Sequence, residues 1–98
     1  MEININKEND ELTIAPIGRI DSATSDEFLA FIEENFTEEI NKLIIDFKDV
    51  DFISSKGLRV LVSIYKNLKE KKMEITNANV SVMEILRLSG LLKVVEVK

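Results

Sequence analysis

The run Leu43-Ile44-Ile45, closed by Asp46 and Phe47, constrains this chain more than any other stretch. Three consecutive apolar residues between polar flanks predict a strand buried on both faces, central in a sheet and parallel to its neighbours. Parallel strands need crossover connections, and these are usually helices. Helical patterns stand on both sides of the run. Thr24 and Glu27 are spaced as a capping box ahead of Phe28, Phe31, Ile32 and Phe36, which fall on one stripe, while Glu33 and Glu34 read as its solvated face. Downstream, Leu58, Leu61, Val62, Tyr65 and Leu68 form a second stripe, widened by Val60 and Ile64. Lys66, Lys69, Lys71 and Lys72 complement the carboxyl-terminal dipole of that helix.

The rest of the chain fits around this centre. Ile3 and Ile5, the pair Asn9-Asp10, then Leu12 and Ile14 predict a hairpin. Pro16 cannot donate to a ladder, so its stretch is expected at a sheet edge or a bulge, with a bend at Gly18 and with Ile17 and Ile20 facing inward. Met73 and Ile75 predict a short strand ending at Asn77. Ser81 and Glu84 make a second capping box for a third helix through Val82, Ile85 and Leu86. Gly90 suits a left-handed helix end, Leu91 can fold back onto that helix, and Val94, Val95 and Val97 predict a last strand. The expected fold class is α/β, a mixed and mostly parallel sheet with helices in the order β-β-α-β-α-β-α-β. At 98 residues it is read as one domain, 1–98, without a linker.

Composition then removes whole classes of function. The chain has no cysteine and no histidine, which excludes disulfides, thiolate chemistry, Ser-His-Asp hydrolysis and the common zinc sites. No cofactor or metal is expected, and a serine-lysine enzyme using Ser55 with Lys56 or Lys72 has nothing in the sequence to assemble it. A net charge of -5 argues against direct nucleic-acid binding, which needs a basic face to displace counterions. No apolar run approaches a membrane span, and residues 1–10 lack the features of a secretory signal, so a cytoplasmic location is expected.

Two turns stand where such sheets gather ligands and partners, at the carboxyl ends of strands. One is Gly18-Arg19-Ile20-Asp21. The other, Phe52-Ile53-Ser54-Ser55-Lys56-Gly57-Leu58, opens the second helix. Ser54 or Ser55 there serves as an N-cap, and the same backbone N–H groups that a cap satisfies would stabilise an anion such as a phosphoserine. Gly57 costs ~1 kcal/mol in a helix relative to alanine, which points to a close approach of something to the backbone.

These residues carry a resemblance that covers nearly the whole chain. Gly18-Arg19-Ile20-Asp21 with Thr24, Val50 to Leu58, and Leu88-Ser89-Gly90-Leu91 with the valine-rich tail resemble the STAS domains of anti-sigma factor antagonists, the bacterial sporulation and general-stress switches. The resemblance implies a regulated binding protein rather than an enzyme. Its partner would be an anti-sigma factor that is also an ATP-dependent serine kinase, bound only by the unmodified form so that a sigma factor is released. Aligned on Phe52, Gly57 and Leu58, the phosphoacceptor falls on Ser55, with Ser54 as the alternative. A PP2C-type phosphatase would reset the switch. Asp21 matches a family aspartate expected to hold the serine hydroxyl, or else to cap the first helix. Ser54 replaces the family's aspartate and Lys56 its second serine or threonine, so Lys56 can pair with the phosphate. Many family members continue into a terminal helix beyond the last strand; without it, an exposed sheet region fits self-association or a permanent partner. The alternative function is a non-phosphorylated STAS scaffold in a transport or signalling assembly.

Overall fold

The computed structural model describes residues 1–98. In chain order the elements are β1 (Glu2–Glu8), β2 (Glu11–Ile20), α1 (Ser25–Asn35), β3 (Lys42–Asp46), β4 (Val50–Ile53), α2 (Ser55–Asn67), β5 (Lys72–Thr76), α3 (Val80–Ser89) and β6 (Glu96–Val97), with a 3-10 turn over Leu91–Lys93. The predicted hairpin closes at Asn9, whose φ of 57° places it in the left-handed region that asparagine tolerates. β1 pairs antiparallel with β2, and every other pairing in the sheet is parallel. The path of the sheet is β1-β2-β3-β5-β6, with β4 added to β2.

β3 is central and parallel to both neighbours, as its apolar run predicts, but it is buried on one face only. Leu43 and Ile45 are fully buried, while Ile44 is half-exposed. The cause is the layering. Leu12, Ile14, Leu43, Ile45, Met73 and Ile75 join Phe28, Ile32, Leu61, Ile64, Val82 and Leu86 in one hydrophobic cluster. The alternate residues Thr13, Ile44 and Glu74 stand in register across the opposite face, which no helix covers. Glu74 is nevertheless only 5% exposed there, because the ammonium groups of Lys42 and Lys98 both lie 3.1 Å from its Oε1.

Four local expectations are corrected. Pro16 is not at an edge and is itself buried within β2; of its two expected settings the edge is the one corrected, since β2 does carry a register irregularity nearby, between Gly18 and Arg19. The parallel partners of β2 stop at Ile14 and resume at Gly18, so the missing amide falls in the gap between two ladders, and Ile17 takes a half-exposed position. The segment before α2 contains an additional short strand, β4, which pairs with Gly18 to Ile20. Neither capping box forms. Thr24 Oγ1 is taken by the amide of Asp21 and the carbonyl of Arg19, and α3 is capped by Asn79, whose Oδ1 accepts from the Val82 amide at 2.8 Å. The last strand is two residues long, because Leu91 and Val95 turn into the core while Val94 remains exposed. Gly90 does end α3 in the left-handed conformation, at φ 83°.

Candidate functional site

The two turns singled out in the sequence lie side by side, because β4 pairs with the last residues of β2. The Ser54 amide donates to the Ile20 carbonyl at 2.8 Å, so the strand ladder runs directly into the start of α2. Ser54 is the N-cap: its Oγ accepts from the Gly57 amide at 3.1 Å, and its carbonyl accepts from Leu58 at 2.9 Å. Ser55 is the first residue of the helix, exposed, and its hydroxyl makes no hydrogen bond within the chain. The amides of Ser55 and Lys56 likewise have no backbone acceptor, as expected for the first turn of a helix. An anion at this point would meet free N–H donors and the positive end of the helix.

Gly57 is the reason the turn can sit so close to β2. A β-carbon there would stand 2.8 Å from both the carbonyl oxygen and Cγ2 of Ile20, and 3.1 Å from Ile53 Cγ2. The close approach signalled by a glycine in the helix is therefore that of the strand β2. Leu58 packs partly against the core on the inner side of the same turn.

Asp21 organises the neighbouring turn. Its Oδ1 accepts from the amides of Ala23 at 2.9 Å and Thr24 at 3.2 Å, and its carbonyl accepts from the Ser25 hydroxyl. The amide of Ala23, more than any other group, holds the Asp21 carboxyl below its ordinary range. Neither of the two roles expected for Asp21 is formed as such: its carboxylate closes the turn that leads into α1, bonding Ala23 and Thr24 ahead of the first helical residue, and no hydrogen bond joins it to Ser54 or Ser55. Thr24 serves the same turn, with its hydroxyl accepting from Asp21 N at 3.0 Å and donating to Arg19 O at 2.7 Å. Lys56 is also engaged: its Nζ lies 3.0 Å from Asp26 Oδ2 at the start of α1.

Two contributors are not visible in the sequence as a unit. The Arg19 guanidinium stacks 4.4 Å from the centre of the exposed Phe52 ring and lies 3.6 Å from Asp21 Oδ2. Their pairing follows from the register of β2 with β4, a strand that four residues of mixed polarity do not announce. The link between Lys56 and Asp26 spans 30 residues of sequence and has no local signal.

No group of three or more acidic side chains converges on a metal-sized site, and no helix is long and apolar enough to cross a membrane. The largest surface depression lies at the other end of α2, among Asp10, Asn41, Lys42, Lys69 and Lys71.

The sequence matches the family model for the STAS domain over residues 2–98. The chain belongs to the STAS family. Among STAS relatives, the anti-sigma-B factor antagonist of Listeria monocytogenes is 27% identical over 94 residues, covering 94% of this chain and 82% of the relative. The crystal structure of an anti-sigma factor antagonist from Mycobacterium paratuberculosis superposes with a TM-score of 0.89 at 23% identity, covering 98% of this chain and 83% of that one. The Bacillus cell fate determinant SpoIIAA matches in its phosphorylated form at a TM-score of 0.77, with 16% identity over 99% of this chain and 91% of that one. Its unphosphorylated form matches at 0.78, with 13% identity over 99% and 87%. These likenesses establish the STAS fold of the chain.

Proposed function

We propose that residues 1–98 act as one STAS domain and serve as an anti-sigma factor antagonist, a binding switch rather than a catalyst. In the unmodified state it binds an anti-sigma factor that is also a serine kinase, so that a sigma factor is released. Transfer of the γ-phosphoryl group of ATP to Ser55 Oγ, with ADP leaving, switches it off, and a PP2C-type phosphatase restores it by hydrolysis. The setting is the cytoplasm. The observation that carries the reading is the division of labour at the helix start: Ser54 is occupied as the cap, whereas Ser55 presents a free, exposed hydroxyl. Ser54 is the weaker acceptor because its hydroxyl oxygen is already engaged by the Gly57 amide and its side chain is half-buried.

The switch is one of surface charge. A phosphate adds about 1.5 to 2 negative charges beside free helix amides that tolerate it, while a docking protein must desolvate and face it. Asp49 and Asp51, both exposed at the adjoining β4, add to the repulsion. The fold itself need not change, which fits the near-equal match of this chain to SpoIIAA with and without phosphate.

The test is co-expression with the serine-kinase anti-sigma factors of the same genome, followed by pull-down and by mass spectrometry after incubation with ATP. The expected result is a stable complex without ATP, one added phosphate with ATP, and loss of that phosphate in Ser55→Ala but not in Ser54→Ala. Phosphate retained in Ser55→Ala overturns the acceptor assignment. A chain that binds no such kinase, or binds its partner equally well as Ser55→Asp, is instead a non-phosphorylated scaffold.

A further inference from the structure

The exposed side of α2 carries a feature that the switch so far leaves unused. The helix contains three cations, Lys56, Arg59 and Lys66, and no acidic residue, in a chain where acids outnumber bases 18 to 13. Lys56 is held by Asp26. Arg59 is exposed and enters no ion pair or hydrogen bond; it lines the outer surface of the helix with Val62, Ser63 and Lys66. Arg59 stands four residues after Ser55, so the two share one helix face with their β-carbons about 5–6 Å apart. Lys56, one residue after Ser55, points elsewhere, because adjacent helical residues do not face one another.

We infer that Arg59 is the internal counter-ion of a phosphate on Ser55. The inference rests on the reading of Ser55 as the phosphoacceptor and adds a residue to that site. The geometry is the favourable one on each count. An anion one turn before a cation is the better order for an i,i+4 pair, and the anion also sits at the positive end of the helix. A guanidinium matches phosphate oxygens in bidentate fashion where an ammonium does not. The competing cations are engaged, Lys56 with Asp26 and Arg19 with Asp21 and the Phe52 ring. Modification would then change the surface twice over, adding negative charge and withdrawing the one free guanidinium on α2.

The test installs phosphoserine at position 55 during synthesis, so that it does not depend on any kinase. Its second ionisation is followed by phosphorus NMR in the otherwise native protein and in Arg59→Ala, Arg59→Lys and Lys56→Ala. The exposed carboxylates Asp49 and Asp51 are common to all four and cancel in the comparison. The expected result is a phosphate that ionises about 0.2–0.4 pH unit lower in the otherwise native chain than in Arg59→Ala. Arg59→Lys should fall between the two, and Lys56→Ala should stay near the native value. Coincident titrations for the native chain and Arg59→Ala, or a larger effect from Lys56→Ala, overturn the inference. Failure of any kinase to label Ser55 would defeat the functional reading and leave this measurement standing.

Discussion

Gly57 shows at the scale of one residue how a substitution that helps a helix can harm a fold. Alanine is favoured over glycine by ~1 kcal/mol within a helix, but here the added carbon meets the Ile20 carbonyl at 2.8 Å, and a backbone atom in a strand cannot turn aside. Overpacking of this kind costs about 1–3 kcal/mol. Gly57→Ala is therefore expected to lower stability in urea denaturation by up to about 2 kcal/mol net, and a gain would mean that β2 yields. The glycine announces a close contact in the sequence, but not its partner, because Ile20 is remote in the chain and is brought there only by β4. The same limit applies to Asp21. Its place beside the serine turn follows from the family pattern, whereas its actual bonds, to Ala23 and Thr24, depend on a loop conformation that spacing does not encode.

Among the elements, the long periodic ones are legible in the sequence and the short ones are not. The α2 stripe is centred on Gly57, Val60, Leu61, Ile64 and Leu68, so the residues expected to widen it are its middle, and Leu58, Val62 and Tyr65 are its margins. β4 escapes notice because its two middle residues, Asp51 and Phe52, are both exposed, a pattern with neither strand nor helix period. The true start of α3 is hidden because Ser81 and Glu84 imitate a capping box while Asn79 does the capping. Asn79 also donates from Nδ2 to the Val50 carbonyl at 3.2 Å, which ties the helix to β4. Asn79→Ala should therefore cost about 1–2 kcal/mol in thermal or chemical unfolding. Ser81→Ala should stay within about 0.5 kcal/mol, and the reverse ranking would restore the capping box.

For the whole molecule, the alternation of strands and helices specifies an α/β sheet, but not that all three helices lie on one side. Periodicity therefore buries Ile44, and the structure does not. The uncovered face brings a charged cluster with it. Burial pushes the Glu74 carboxyl up, but Lys42 and Lys98 outweigh this and hold it below its ordinary value, while Lys7 draws Glu39 down to about 2. Carboxyls depressed in the folded state stabilise it above their unfolded values, and that contribution fades as acid protonates them. The unfolding midpoint should fall as pH drops from 4.5 towards 2, and Glu74→Gln should flatten the descent. High salt should weaken the part due to the exposed Glu39 more than the part due to Glu74. A midpoint indifferent to pH across that interval would remove these pairs from the account. The carbonyl of Ile20 has one last implication: it ends a strand, anchors Ser54 and walls in Gly57 at the same time. The contour of this rim is thus set by the backbone itself, so a protein that docked on it would surrender little freedom there.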